Sequence, residues 1–216
     1  MRKLKLILAA LCVISPFAAN AVPITWEFTG EIDDVSGSPG AAIGDAFRVL
    51  VNFDTDASLL RAQTGGRFDP GTRYEYDASA VSILVSLPGL ADQLITPFGD
   101  GLDLLWLRDN SGDRSLEEFD EVDGLTFALF DSNNFGASIV LRGSVLDIFN
   151  GGALPENPDP RLVDLEIASL NWATADGFAA GDIAAISRVS VPEPGTLALL
   201  GIGLFGMGLA RRRAKA

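Results

Sequence analysis

Hydrophobic side chains recur at every second position through most of the middle of this chain, a spacing that fits an extended strand with one face buried and one wet. Ile24, Trp26 and Phe28 alternate with Thr25, Glu27 and Thr29. Phe47, Val49, Val51 and Phe53 alternate with Arg48 and Asn52, and Val81, Ile83, Val85 and Leu87 with Ser82 and Ser86. The series continues through Leu102, Leu104 and Trp106, then Leu125, Phe127 and Leu129, then Ile139, Leu141 and Val145. Leu165 and Ile167, and finally Ile183 to Val189, close it, so the pattern predicts about eight strands. Between them stand turn formers: Ser36 to Gly40, Asp69-Pro70-Gly71, Asn110 to Asp113, Asp131 to Asn134 and the proline-bearing stretch from Asn150 to Pro160. No long helical period appears before residue 196, and no internal repeat is evident. The expected fold is all-β: a single antiparallel β-sandwich or jelly-roll-like domain in which each sheet buries one face.

Both ends of the chain depart from that pattern. Arg2, Lys3 and Lys5 lead into an apolar stretch from Leu6 to Ile14 and then a small-x-small site at Ala19, Asn20 and Ala21. Charge, short apolar core and small residues together read as a secretory signal peptide over residues 1–21, with cleavage after Ala21 by the enzymes of a Sec-type export route. The apolar run is too short for a lasting anchor across a hydrocarbon core of about 30 Å. Cys12 follows Leu11, where a lipid-attachment motif carries a small residue, so it reads as apolar filler. Removal of the signal leaves no cysteine, and hence no disulfide and no thiolate chemistry.

At the other end Pro192, Glu193 and Pro194 precede an almost wholly apolar run over 196–210 and then Arg211, Arg212, Arg213 and Lys215. A helix over that run spans roughly 22 Å, short for a bilayer, so the arginines must snorkel and the membrane thin slightly. Positive charge is held on the cytoplasmic side, which places everything before Pro192 outside and agrees with an export signal at the N-terminus. Pro192 and Pro194 fix an extended backbone without amide donors, and Glu193 adds a charge to read.

The string VPEPGTLALLGIGLFGMGLARRRAKA resembles the PEP-CTERM sorting signal: a Pro-Glu-Pro motif, a short membrane helix and an arginine cluster. The resemblance covers residues 191–216 and implies recognition by an exosortase, a membrane-embedded cysteine-dependent protease or transpeptidase. It implies removal of the tail near Pro192, Glu193 and Pro194, with an inner-membrane intermediate and then release or attachment at the cell surface. The middle of the chain is reminiscent only in a general way of the β-rich regions found upstream of such tails.

Composition narrows the chemistry of residues 22–190, expected to be one ectodomain. Between Val22 and Pro194 nine arginines face twenty-nine acids, a net charge of −20, and there is no His, Lys or Cys. Such a charge keeps an exported protein soluble and disfavours nucleic acid as a partner. Serine–histidine triads, histidine metal sites, Schiff bases and thiol catalysis are excluded, leaving carboxylates. A glycosidase needs two of them about 5 to 10 Å apart with different pKa values, and no spacing here singles out a pair. Asp109, Ser111, Asp113 and Asp120 approximate the oxygens of a calcium loop, with Leu116 at its apolar position. Arg114, however, stands where the loop needs glycine, and no helices flank it, so an acidic hairpin turn is the simpler reading and no cofactor is expected. Asp54 and Asp56 read as a turn. Tyr74 and Tyr76 share one strand face and Glu75 and Asp77 the other; rings beside acids suit sugar binding, yet such rings are more often core. Trp26, Trp106 and Trp172 are expected in the core.

The sequence thus points to a non-enzymatic surface protein, structural, adhesive or glycan-binding, with an extracellular polysaccharide as the candidate partner. Two alternatives remain: a secreted carboxylate-dependent polysaccharide hydrolase, and a membrane-anchored periplasmic domain whose tail is not cut.

Overall fold

The computed structural model describes residues 23–64, 72–99, 102–109, 123–143, 148–149 and 151–189. The described residues form one compact unit, Pro23–Val189, built from eleven strands. In chain order these are β1 (Ile24–Gly37), β2 (Ala46–Phe53), β3 (Leu59–Thr64), β4 (Thr72–Tyr76), β5 (Ser82–Ser86), β6 (Gln93–Ile95), β7 (Leu102–Asp109), β8 (Asp123–Phe130), β9 (Gly136–Gly143), β10 (Ile167–Thr174) and β11 (Gly177–Val189). Two short 3-10 turns, Ala78–Ala80 and Pro160–Asp164, are the only helical pieces among the described residues. Each is capped by an aspartate, Asp77 and Asp159, whose carboxylate accepts the amide of the second residue on. Hydrogen bonding to Ser79 holds the Asp77 carboxyl below its usual range, and the Arg161 side chain does the same for Asp159.

The all-β, antiparallel expectation holds, but the two stacked sheets expected of a sandwich are one continuous sheet. Its order is β3-β4-β7-β8-β9-β10-β11-β1-β2-β5-β6, every neighbour antiparallel. The sheet curls until its own face becomes the core. Phe127 on β8 lies four places from β1, yet its ring centroid is 6.2 Å from that of Trp26, 6.5 Å from Phe28 and 4.9 Å from Phe53. Right-handed strand twist supplies the curl, and register shifts in β1 at Thr29/Gly30 and Ile32/Asp34 sharpen it. Gly30 is required there, because a Cβ would land on the carbonyl oxygen of Asp182 and the ring of Phe47.

The alternation read in the sequence is the alternation of burial. Ile24, Trp26 and Phe28 face inward on β1, and so do Phe47, Val49, Val51 and Phe53 on β2 and Leu125, Phe127 and Leu129 on β8. β7 is out of phase with expectation: Leu105 and Leu107 are fully buried, while Leu104 and Trp106 are half-buried on the outer face. The run Leu104-Leu105-Trp106-Leu107 is apolar at both parities, so only the cross-strand partners set its phase. Leu105 lies opposite Tyr76 and Phe127, and Leu107 opposite Tyr74 and Leu125. Trp106 is therefore not a core residue, whereas Trp26 and Trp172 are. β3 and β6 leave no strand pattern in the sequence, because as the two edge strands they carry little buried surface. Leu165 precedes β10 and is buried at the end of the 3-10 turn.

Candidate functional site

One end of the curled sheet gathers most of the unusual features. Thr25 and Val189 are paired there, so the N- and C-terminal ends of the domain leave from adjacent strands. The connection from β9 to β10 covers the same end and carries Phe149, Leu154, Leu162 and Leu165 into the core. Five side chains hold this cover down. Asp123, 3 % exposed, accepts the amides of Ile148 at 2.7 Å and Phe149 at 3.2 Å through one oxygen. Asp109, 6 % exposed, accepts the amide of Gly151 at 2.5 Å. The Tyr76 hydroxyl donates to the carbonyl of Gly152, and Trp26 Nε1 donates to the carbonyl of Glu156 at 3.3 Å. Nearest the exit of the chain, Arg188 Nη1 donates to Asn157 Oδ1 at 3.0 Å.

This geometry fixes the meaning of several residues singled out in the sequence. Asp109 serves as a clamp on the cover; Ser111, Asp113 and Asp120 lie outside the described residues, and no group of three or more metal-ligating side chains occurs among the described ones. Asp54 accepts the amide of Asp56 at 2.8 Å, the turn expected of that pair. Tyr74 and Tyr76 do share a face, but it is the inner one, where both rings lie against Gly152. Nothing in the local sequence announced the clamps, because Asp109 and Asp123 acquire their partners from a segment far along the chain.

Burial, with a smaller contribution from Tyr74, pushes the Tyr76 phenol up to about 12. A phenol that must stay neutral in the folded state stabilises the fold fully below its unfolded pKa of about 10 and progressively less as pH rises towards 12. The chain has two tyrosines. A spectrophotometric titration is therefore expected to show one phenolate forming only near pH 12 or on alkaline unfolding, and Tyr76→Phe is expected to remove that late step.

Ala19, Ala21, Pro192, Glu193, Pro194 and Arg211, Arg212 and Arg213 lie outside the described residues, as does the apolar run over 196–210. No helix among the described residues is long and apolar enough to cross a membrane. Compared with known families, residues 190–213 match the PEP-CTERM protein-sorting motif, which begins at the residue after β11. No curated protein and no solved structure matches the chain.

Proposed function

We propose that this chain, which carries a PEP-CTERM protein-sorting motif, is an exported protein whose curled β-sheet domain is delivered to the cell surface by an exosortase and serves there as a non-enzymatic adhesive or glycan-binding module. The motif match is the observation that carries the reading: it implies export, surface sorting and an exosortase as processing partner. The hydrolase alternative has no comparable support. Its best buried acids, Asp109 and Asp123, are engaged by backbone amides of the cover, which is a structural task.

Intact mass and cell fractionation in the native host test the proposal. The unaltered chain is expected outside the cell or on its surface without residues 1–21 and without the tail. A variant with Pro192, Glu193 and Pro194 replaced by alanine is expected to keep the tail and accumulate in the inner membrane. If both chains keep the tail and stay in the membrane, the protein is an anchored domain and sorting is wrong.

A further inference from the structure

The two edges of the curled sheet are guarded unequally. An edge strand offers a row of unpaired amides and carbonyls to any other strand, and proteins that must stay apart shorten it, charge it or interrupt it with proline. β6 is only three residues long, and Pro97 follows it two residues on. β3 is six residues long, Leu59–Thr64, with no proline, no acid and a single charge, Arg61. All its residues are exposed except the half-buried Gln63, so both of its faces are open, with Leu59 at 51 % and Leu60 at 64 % exposure. Among the described residues no strand pairs with its outer side.

Charge limits what can approach that edge. Residues 22–194 carry a net charge of −20, so two copies of the domain repel wherever their acids face each other. β3 and β4 are different: they hold Arg61 and Arg73 against one acid, Glu75. A second copy can therefore come up to this edge without meeting a row of acids. Register agrees. A two-fold axis perpendicular to a sheet joins a strand to its own copy in antiparallel fashion, with one residue opposite itself. The register shift between Leu59 and Arg61 leaves Arg61–Thr64 as the regular stretch. An axis on Ala62 sets Ala62 against its own copy, the smallest side chain of the stretch at the point of symmetry, and Arg61 against Gln63. An axis on Arg61 would set two guanidiniums face to face, which is destabilising. One on Gln63 would carry the pairing of Arg61 past Thr64, where β3 ends.

We propose that β3 is an interface between copies of this chain: two domains join edge to edge, antiparallel about Ala62, into one continuous sheet. Backbone hydrogen bonds supply the attraction and the facing side chains fix the register. A contact between strands this short buries little surface and is weak in dilute solution. Copies held side by side on a cell surface meet at a high effective concentration, where the same contact persists. The proposal rests on the surface-delivery reading for that setting and not for its geometry. An extended segment of another protein is the rival occupant of the edge.

Cysteine pairing reads the register directly. The chain has one cysteine, Cys12, and the test uses the full chain with Cys12→Ser, purified in non-ionic detergent. Residues directly opposite one another bring their Cβ atoms to about 5 Å, close to the span of a disulfide. On mild oxidation Ala62→Cys is therefore expected to form a linked dimer at least about tenfold faster than Leu94→Cys, at an exposed position of the other edge strand. An equimolar mixture of Arg61→Cys and Gln63→Cys is expected to link mainly one variant to the other. Should Ala62→Cys fail to fold, the mixture decides. Association through the apolar run over 196–210 raises all of these rates alike and cannot imitate a difference between positions. Equal rates at Ala62 and Leu94, or a mixture dominated by self-linked products, overturns the proposal, as does capture of an envelope protein in place of a second copy when Ala62→Cys is oxidised in the native host. A chain that is sorted yet shows no preference for Ala62 loses the interface and keeps delivery; linkage through Ala62 in a chain that is never sorted upholds the interface alone.

Discussion

Truncating Phe127 to alanine is expected to destabilise the domain by about 3–5 kcal/mol, near the upper end for a single core residue. Phe127 is fully buried, and of the four rings in the central cluster it is the one contributed by β8; Trp26, Phe28 and Phe53 come from β1 and β2. Its removal opens a cavity where the two halves of one curled sheet meet, and neither half can move in to fill it without flattening the curl. For a domain of this size the melting midpoint should fall by roughly 10 °C. Urea unfolding measures the loss, with Phe127→Leu retaining most of the stability and Phe135→Ala, on the exposed β8–β9 turn, retaining nearly all. A Phe127→Ala change within 1 kcal/mol of the parent would mean that the sheet does not close on itself at this ring.

Replacing Asp123 by alanine should have the next largest effect. The buried carboxylate is the acceptor for two amides, Ile148 and Phe149, and leaving each unsatisfied costs about 1–3 kcal/mol. The damage should be directional. With Asp123 gone, the cover between β9 and β10 loses its first attachment, while Asp109, Tyr76 and Trp26 still hold its middle. Limited proteolysis is expected to nick the variant within residues 148–166 well before the strands are cut, and Asp123→Asn, whose carbonyl can still accept, should fall between parent and alanine. Uniform digestion of all strands would show that Asp123 acts on the whole sheet and not on the cover.

Sequence alone revealed the strands whose two faces meet different surroundings. β1, β2 and β5 alternate because one side meets the core and the other is more open, and period two records that contrast. β7 has apolar residues on both faces, so only its tertiary partners set its phase, and the pattern alone puts Trp106 on the wrong side. The edge strands β3 and β6 have no buried face strong enough to leave a pattern. The sorting motif is a linear string, complete without any fold, and was readable in full. The clamps are the opposite case. Asp109 stands in a spacing that suggests calcium, and the amide it accepts, that of Gly151, is forty-two residues away.

The pairing of β1 with β11 also sets an order of events in time. The first strand of the domain finds a principal partner in the last, along twelve registered positions. Contacts so distant along the chain form late, because the whole intervening loop must be closed before they are rewarded. Under the proposed export, which begins at the N-terminus, β1 therefore reaches the outside long before β11 arrives. On that route the fold is completed only once β11 has crossed, and an early-emerging Ile24–Gly37 with its hydrophobic face open is the segment most in need of a chaperone during that interval.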